Sequence, residues 1–314
     1  MMSDKIDLLE KEAESAGCHF VCNAELKNYT TFKIGGKTPI LIDLDSAEKC
    51  VKLIPFAAKN KIPYRIFGRG SNLIVDDRGV DSVIFHIFGG EAALCGENKV
   101  SCFAGISLVK ACGFALENGL GGLEFAYGIP GSIGGAVYMN AGAYGGEIKD
   151  VITSVAAMDK DGSVRYYDSS ELDMSYRKSR FTQSDEVVLT AEFTLVKKDK
   201  TEIRKKMDEL MEKRRTKQPL DFPSAGSTFK RPEGSYASLL IEQSGLKGFS
   251  VGGAEVSTKH SGFVINKGNA SFDDLMKLIS EVKAIVKEKT GYLLECEPEI
   301  ISDREEYVRC IFSL

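Results

Sequence analysis

Apolar and polar positions along this chain repeat with the periods of strands and of amphipathic helices. Short apolar runs predict strands at 39–42, 64–67, 83–87, 100–104, 186–196 and 293–301. Helical spacing predicts helices at 1–17, 46–60, 108–118, 201–216, 236–244 and 271–289. The first strands and the helix between them predict a βαβ-like beginning, and the charged helix at 201–216 predicts a bridge to a third region.

Local signals mark several ends of these elements. Ser46 can cap the helix that follows it, and Ser271 and Asp274 have the spacing of a capping box at the start of the last long helix. The pair Asp161-Gly162 lies between two strand-like runs and predicts the turn of a hairpin. These signals depend only on neighbouring residues.

Composition and charge narrow the class of protein. The chain has 314 residues, of which 43% are hydrophobic and 27% charged, which suits a globular protein with more than one lobe. Lys and Arg number 41 against 45 Asp and Glu, and no basic block stands out, so we expect no nucleic-acid partner. The charged N-terminus is unlike a signal peptide and no segment has the length of a membrane span, so we expect a cytoplasmic protein without a membrane partner.

The cysteines and histidines give no sign of a metal site. The eight cysteines lack CxxC spacing and the three histidines lie far apart, so we expect neither a metal nor a disulfide framework.

Two nucleotide-binding signatures are incomplete in this sequence. Gly35-Gly36-Lys37-Thr38 resembles the end of a P-loop whose first glycine would fall at Thr31, and Gly68-Arg69-Gly70 opens a dinucleotide fingerprint whose last glycine is replaced by Leu73.

The run from Gly119 to Gly146 holds ten of the 31 glycines and almost no charge, with apolar side chains between them. Glycine is used at such density where the backbone takes positive φ or approaches a ligand closely. Successive backbone N–H groups in such turns form concavities that bind phosphates. A tightly packed turn without a ligand is the alternative interpretation.

Two glycine loops together resemble the FAD-binding domain of vanillyl-alcohol-oxidase (PCMH) type flavoproteins, in which such loops hold the pyrophosphate. They are Gly68-Arg69-Gly70-Ser71-Asn72-Leu73, after an apolar strand, and Gly128-Ile129-Pro130-Gly131-Ser132-Ile133-Gly134-Gly135-Ala136. The resemblance implies these cofactor-binding residues: Arg69, Gly70, Ser71, Asn72, Leu73, Gly128, Ile129, Pro130, Gly131, Ser132, Gly134, Gly135 and Ala136. Because Ser71 and Asn72 follow Gly70 where related oxidases often carry an attachment histidine, we expect non-covalent FAD.

Four further strings resemble the UDP-N-acetylenolpyruvoylglucosamine reductase family in order and spacing, over roughly residues 28–301. They are YTTFKIGG from Tyr29, SYRKSRF from Ser175, RTKQPL with PSAGSTFKRP between Arg215 and Pro232, and GLKG with HSGFVIN between Gly245 and Asn266. The short interval between Ser227 and the C-terminal glutamates resembles the shorter form of the family. The resemblance implies an α+β fold class: an FAD-binding domain in two lobes, 1–82 and 83–200, and a C-terminal α+β substrate-binding domain, 201–314, whose last strand returns towards the flavin.

The resemblance also implies the reaction. NADPH reduces FAD, and the flavin passes a hydride to the enolpyruvyl ether of a UDP-sugar, giving UDP-N-acetylmuramate. This product is a precursor of peptidoglycan, so the implied processes are cell-wall biogenesis, the maintenance of cell shape and cell division. The flavin performs the hydride chemistry, and the protein orients the substrate, stabilises charge and supplies a proton. The implied partners are the UDP-sugar and NADPH, and we expect a monomer.

The catalytic roles come from matching motif positions. Arg177 would stand beside the substrate carboxylate, with Tyr176 as a substrate-binding neighbour, although SYRKSRF taken alone is more typical of a solvated face. Ser227 would donate the proton, although a serine in a Gly-Ser-Thr turn is most often only a turn hydroxyl. Lys230 and Arg231 would bind the UDP diphosphate or help the serine to regain a proton.

The third catalytic group would be a C-terminal glutamate, and the segment LECEPEI offers three. Matching the closing Ile300-Ile301 pair favours Glu297, while Glu299 remains the alternative if Pro298 shifts the turn. If 293–297 is extended, Pro298 ends that strand with Glu297 at its tip. Two other functions stay open, another FAD-dependent sugar or alcohol oxidase on this fold and a non-catalytic UDP-sugar-binding relative.

Overall fold

A computed structural model describes residues 2–308. The described chain packs as two compact units. Unit 1 consists of 2–22, Ile40–Arg69 and Ser82–Arg214, and unit 2 of Asn23–Pro39, Gly70–Asp81 and 215–308. The predicted three-region division at 1–82, 83–200 and 201–314 stays a prediction.

The helices and strands of residues 2–308 are as follows. The α-helices are α1 (Met2–Ser15), α2 (Ala47–Lys59), α3 (Leu108–Glu117), α4 (Ile133–Tyr138), α5 (Lys200–Lys217), α6 (Ala237–Gln243), α7 (Phe272–Thr290) and α8 (Glu305–Val308). Short 3-10 turns lie at Leu26–Tyr29, Glu124–Ala126, Ile148–Asp150, Ser169–Glu171 and Arg180–Gln183. The first nine strands are β1 (Phe20–Glu25), β2 (Lys37–Leu44), β3 (Tyr64–Phe67), β4 (Leu73–Val75), β5 (Val83–Ile87), β6 (Ala92–Leu94), β7 (Lys99–Phe103), β8 (Leu120–Gly121) and β9 (Gly142–Ala143). The others are β10 (Gly146–Glu147), β11 (Ile152–Met158), β12 (Val164–Asp168), β13 (Val187–Thr194), β14 (Val196–Lys197), β15 (Ser250–Val251), β16 (Ala254–Val256), β17 (Val264–Asn266) and β18 (Glu299–Ile301).

Unit 1 is built around two sheets. The first has the order β1-β2-β5-β3, in which β2 and β3 both run parallel to β5, so the predicted βαβ-like beginning is confirmed with β5 inserted between its strands. The second is antiparallel, β12-β11-β13-β7-β6, and its β11–β12 hairpin turns at the predicted Asp161-Gly162, with Gly162 at φ 90°. One continuous apolar core fills this unit, and Phe85 and Phe193 are among its fully buried side chains.

The two predicted helix N-caps, at Ser46 and Ser271, are present in the structure. The Ser46 side chain accepts a hydrogen bond from the N–H of Lys49, and Ser271 and Asp274 form a reciprocal capping box at the start of α7. Each cap satisfies backbone N–H groups that would otherwise lack a partner in the first helical turn. These helix starts follow from chemistry within four residues.

Unit 2 packs α6 and α7 around its own apolar core and carries the antiparallel sheet β15-β16-β17. Phe32 and Ile34 of the YTTFKIGG string are buried in that core, which explains why a segment so early in the sequence belongs to this unit. The strands β4 and β18 pair in parallel, with Glu299 opposite Leu73. A network centred on the buried Asp76 holds this pair, since its carboxylate accepts hydrogen bonds from Ser302 and Arg304.

The expected strand at 293–297 is wrong. Residues 293–295 have no regular structure, Cys296 forms an isolated bridge with Phe229, and the strand begins at Glu299, after Pro298. Proline lacks an N–H to donate to a ladder, so it precedes the paired strand rather than ending one. No helix within residues 2–308 combines the length and apolar character needed to cross a membrane.

Candidate flavin and substrate sites

The second glycine loop lies in unit 1 and includes the first residues of α4. Its carbonyl at Gly131 accepts a hydrogen bond from the N–H of Leu108 at 3.0 Å, and the N–H of Gly134 donates to the carbonyl of Ala104 at 2.8 Å. The Ser132 hydroxyl caps α4 by accepting from the N–H of Gly135. The loop is therefore fixed to the segment that follows β7, a rigid support of the kind that a cofactor site needs.

The loop also presents surface and hydrogen-bond donors. Of the predicted cofactor residues in it, Pro130 and Gly135 are exposed, Gly128, Ile129, Gly131 and Gly134 are half-buried, and Ser132 and Ala136 are buried. In the part of the chain that the structure describes, the backbone N–H groups of Gly131 and Ser132 have no protein acceptor. Two consecutive N–H groups of this kind suit a phosphate.

The structure brings the start of the first glycine loop against the second. A Cβ atom placed on Gly68 would lie 2.5 Å from the Ser132 Oγ, so any other residue here would displace the hydroxyl that caps α4. Arg69, the next residue, is exposed. Gly68 and Arg69 are the last residues of their segment of unit 1, and from Gly70 the chain belongs to unit 2.

Gly70 is tightly constrained within unit 2. Its φ is 60°, a Cβ would lie 2.0 Å from the carbonyl oxygen of Tyr29, and its own carbonyl accepts a hydrogen bond from the N–H of Thr31 at 3.2 Å. Any other residue would meet both a backbone clash and an unfavourable φ. Ser71 and Asn72 are half-buried in the following turn, and Leu73 begins β4.

Arg214 is a site residue that the sequence analysis missed. It is 8% exposed, and its side chain packs beside Gly128, where a Cβ would lie 3.3 Å from the Arg214 Cδ. Its Nε is buried without a hydrogen-bond partner; burial lowers the pKa of the guanidinium, while a hydrogen bond with Tyr144 opposes that shift. A buried cation beside this loop is suited to an anionic ligand.

A sequence signal for Arg214 existed in the charged helix α5. The buried positions on this helix are Ile203, Met207, Leu210 and Arg214, which recur at intervals of four, three and four residues. This spacing defines one face of a helix. Arg214 therefore lies on the apolar stripe, although its charge alone suggested a solvated position.

Arg177 lies in unit 1 at the tip of a tight turn. Ser175 and Lys178 exchange two backbone hydrogen bonds, of 3.0 and 3.2 Å, and between them Arg177 has φ 55°. A non-glycine residue in the left-handed region costs free energy, and such residues cluster at functional sites. Arg177 is half-buried, and its guanidinium stacks on the ring of the exposed Tyr176, 5.0 Å from the ring centroid.

Ser227 lies in unit 2 within a small ladder of backbone pairs. It forms a bridge with Phe263 of the HSGFVIN string, and the neighbouring Thr228 donates its N–H to the carbonyl of Gly262 at 2.9 Å. The buried Thr228 hydroxyl also accepts from the N–H of Val264. Ser227 itself is half-buried, so its hydroxyl lies at the edge of a rigid segment.

The structure places Glu297 beside the same segment. The Glu297 N–H donates to the carbonyl of Thr228 at 2.9 Å, and its carbonyl accepts from the Asn72 Nδ2 at 3.4 Å. Glu299 donates its N–H to the carbonyl of Asn72 at 2.9 Å. Glu297 is half-buried and adjacent to the Ser227 segment, whereas Glu299 is exposed at the start of β18.

Lys230 and Arg231 follow this segment. Lys230 is half-buried and pairs with Glu295 at 3.3 Å, and its N–H donates to the Glu295 carbonyl at 2.9 Å. Arg231 is exposed and stacks on Tyr236, 4.8 Å from the ring centroid. Both cations lie on the surface of unit 2, within four residues of Ser227.

These observations fit FAD. The glycine loop that approaches Ser132, the two N–H groups without protein acceptors and the orphan Nε of the buried Arg214 supply space, donors and positive charge for a dinucleotide pyrophosphate. Within residues 2–308 no three His, Cys, Asp or Glu side chains gather as metal ligands. The fold and these loops define a flavoprotein.

Comparison with known proteins agrees. Residues 39–167 match the family described as FAD binding domain, and residues 218–301 match the one described as UDP-N-acetylenolpyruvoylglucosamine reductase, C-terminal domain. The UDP-N-acetylenolpyruvoylglucosamine reductase of Clostridium novyi is 49% identical over 90% of this chain and 92% of its own length, and that of Caldanaerobacter subterraneus is 42% identical over 97% and 99%. The crystal structure of the Thermus caldophilus reductase, 35% identical, superposes with a TM-score of 0.77 over 91% of this chain and 99% of that one.

The chain belongs to the UDP-N-acetylenolpyruvoylglucosamine reductase family. The predicted resemblance and the predicted α+β class with an FAD-binding domain are therefore confirmed. The individual site residues stay predictions, and the structure adds where each of them lies. Arg177 belongs to unit 1, and Ser227 and Glu297 lie close together in unit 2.

Proposed function

We propose that this protein reduces UDP-N-acetylenolpyruvoylglucosamine to UDP-N-acetylmuramate for peptidoglycan precursor synthesis, with non-covalent FAD as cofactor and NADPH as reductant. The observation that carries this function is the similarity to reductases of that name, at 42–49% identity over nine-tenths or more of the chain. When bound, FAD supplies the redox chemistry, accepting a hydride from NADPH and delivering one to the substrate methylene carbon.

Arg177 stabilises the charge that develops on the substrate. Hydride addition to the methylene carbon leaves negative charge that spreads into the adjacent carboxylate. A guanidinium presents a planar fork of donors that matches a carboxylate. The strained φ of 55° at this residue supports the role, because such strain is retained where a side chain must be aimed.

Ser227 donates the proton that completes the reduction. A hydroxyl is a weak acid, but a carbanion-like carbon next to the carboxylate is basic enough to take its proton, so one hydride and one proton are added across the double bond. Positioned proton transfer of this kind contributes about 10²- to 10⁴-fold in rate. Glu297 is the third catalytic group, and its half-buried place next to the Thr228 carbonyl supports this choice over the exposed Glu299.

The remaining polar residues bind the substrate. Lys230 and Arg231 carry the positive charge suited to the UDP diphosphate, and Tyr176 lies against Arg177. Lys230 is paired with Glu295 in this structure, so a bound diphosphate would take the place of that exposed carboxylate. We further propose a cytoplasmic monomer without nucleic-acid partners, in which 1–82 and 83–200 are the two lobes of the FAD-binding domain and 201–314 is the substrate-binding domain.

The flavin spectrum provides the test. We expect the purified protein to be yellow, to release intact FAD on denaturation, to bleach anaerobically with NADPH and to recover its colour with the enolpyruvyl substrate. An oxidase would instead recover its colour only with oxygen, and a binding relative would not bleach and recover at all. Either of those results would overturn the proposal.

Ser227→Ala separates the two half-reactions. Bleaching by NADPH should stay within about twofold of wild type, while recovery with substrate should slow by about two orders of magnitude. Ser235→Ala is a suitable control, because this serine lies in a turn of the same unit and the proposed mechanism gives it no role. An equal loss in both half-reactions would make Ser227 a structural residue.

A further inference from the structure

The segment that follows α4 carries a buried polar residue, Asn140, whose side chain is almost fully used in hydrogen bonds. Asn140 is 0% exposed and has φ 44°. Its Nδ2 donates to the carbonyl of Ser175 at 2.9 Å and to the Glu147 Oε2 at 2.8 Å, while its Oδ1 accepts from the N–H of Lys149 at 2.9 Å. A buried amide with three such bonds is a fixed point in the packing.

The Ser175 carbonyl is the point at which the Arg177 turn begins. Ser175 and Lys178 close the turn by pairing with each other, so a bond to Ser175 fixes the base of the turn and thereby the strained backbone of Arg177. A second tether holds the other side, since the Ser179 hydroxyl donates to the carbonyl of Tyr138 at 2.6 Å. Both tethers come from the C-terminal end of α4.

The N-terminal end of α4 is the second glycine loop, capped by Ser132. The helix has six residues, of which Gly134, Gly135 and Ala136 belong to the proposed flavin loop, and the two groups that hold the Arg177 turn follow at its C-terminal end. At 1.5 Å per residue, the helix is about 9 Å long. One short rigid element thus supports both the cofactor loop and the arginine within unit 1.

Charge around the tether is consistent with this arrangement. Hydrogen bonding by Lys149 lowers the pKa of the Glu147 carboxyl; the Asn140 amide and the positive charge of Arg177 act in the same direction, and burial opposes them. Glu147 therefore stays ionised and accepts from Asn140, which leaves the second amide hydrogen directed at Ser175. The Asn140 amide is held in one orientation, because the opposite flip would bring its oxygen against that carboxylate.

We propose that Asn140 is a positioning residue for Arg177, acting through the Ser175 carbonyl, and that α4 fixes this arginine relative to the flavin loop. The inference rests on the proposed role of Arg177 and names a residue that no sequence motif assigned to the site. Asn140 touches neither the substrate nor the reacting atoms. Its effect is on the geometry of the turn, and a displacement of about 1 Å in such a group can cost about a hundredfold in rate.

The test is Asn140→Asp, which keeps the shape of the side chain and the acceptor for Lys149 but removes the donor to Ser175. We expect holoenzyme with wild-type FAD content, reduction by NADPH within about twofold, and flavin reoxidation by substrate slowed by about tenfold to a hundredfold. Asn98→Asp is the matched control, because Asn98 donates to the Leu195 carbonyl at 3.0 Å in the same unit, and it should leave both half-reactions unchanged. If Asn140→Asp does not yield holoenzyme, because its new carboxylate faces Glu147, Asn140→Gly keeps the left-handed backbone without a charge and should show the same selective loss.

A double-mutant cycle separates this inference from the proposed function. In an Arg177→Ala background, which should itself slow the substrate half-reaction, Asn140→Asp should add less than about twofold, because both changes remove the same group from its place. A binding measurement gives a readout other than turnover. Oxidised Asn140→Asp should lose affinity for the carboxylate-bearing substrate but not for UDP-N-acetylglucosamine, which lacks that carboxylate.

The outcomes are distinct. If Arg177→Ala leaves the substrate half-reaction intact, the proposed role of the arginine fails. If Arg177→Ala is slow but Asn140→Asp is not, the role stands and the positioning inference is wrong. An equal loss in both half-reactions, or full additivity in the cycle, would also overturn the inference by making Asn140 a general structural residue.

Discussion

The choice between Glu297 and Glu299 can be tested by two matched substitutions. In Glu297→Gln the side chain keeps its shape and loses its charge and its capacity to exchange a proton. The backbone contacts that fix this residue, to the Thr228 carbonyl and from the Asn72 amide, do not involve the carboxylate. We therefore expect normal FAD content and normal reduction by NADPH.

The expected magnitude follows from the two environments. Loss of a positioned proton-transfer or charge-stabilising group costs about 10²- to 10⁴-fold, which is about 3–5 kcal/mol at 1.36 kcal/mol for each factor of ten. Glu299 is exposed, and loss of a side chain that takes no part in the reaction should change the rate by no more than about twofold. The two variants should thus differ by at least about fiftyfold in the substrate half-reaction.

The assay is anaerobic stopped-flow absorbance. Each variant is reduced with one equivalent of NADPH and mixed with the enolpyruvyl substrate, and flavin reoxidation is followed. Glu297→Gln should reoxidise slowly and Glu299→Gln at nearly the wild-type rate. The reverse ranking would assign the role to Glu299, and equal, small effects would remove both carboxylates from the mechanism.

Three further predictions concern cofactor binding, stability and thiol chemistry. Arg214→Met should weaken FAD binding by about tenfold to a hundredfold in fluorescence titration of the apoprotein, since a charge-assisted contact is worth about 1.5–3 kcal/mol. Arg204→Met, at an exposed position of the same helix, is the control. If both variants bind FAD with the same affinity, Arg214 does not hold the cofactor. Arg304→Met should lower the free energy of unfolding in urea by about 3 kcal/mol near neutral pH, because it leaves the buried Asp76 carboxylate without its paired guanidinium. Burial raises the pKa of Asp76, but hydrogen bonds from Ser302, from a backbone N–H and from the guanidinium outweigh burial and lower the pKa below its usual 3.8. The stabilisation is therefore complete above pH 3.8 and is lost as the pH falls through the folded-state pKa. A difference in unfolding free energy between wild type and variant that does not shrink in acid would contradict this account. Burial raises the pKa of the Cys296 thiol to about 12, so iodoacetamide at pH 8 should label this residue only after denaturation, and rapid labelling of the folded protein would show that the thiol is accessible.

Local chemistry let the sequence determine much of the secondary structure. The caps at Ser46 and Ser271 and the turn at Gly162 depend on residues within four positions, and the structure reproduces all three. The two glycine loops could also be predicted from the sequence, because a close approach of backbone to backbone or to a ligand requires glycine. Motif order then identified the family, since the same strings recur in proteins that share the chemistry.

Only the tertiary structure decided which of these segments meet. Asn72 bonds to Glu297 across 225 positions of sequence, and β4 pairs with β18, a strand whose start the periodicity placed before Pro298. A three-residue strand carries too few alternations to be distinguished from a loop, and its partner is set by burial of Ile74 and Ile301 in the packed unit.

Arg214 and Asn140 show the same limit for single residues. Arg214 carries a charge that predicts exposure, yet the apolar face of α5 takes it into the interior beside Gly128. Asn140 has no local signal, because its partners Ser175 and Glu147 become neighbours only after the strands between them have paired. A short stretch of sequence determines the local conformation and the hydrogen bonds between near neighbours. Contacts between distant residues depend on the free energy of packing the whole unit, which a short sequence pattern does not specify.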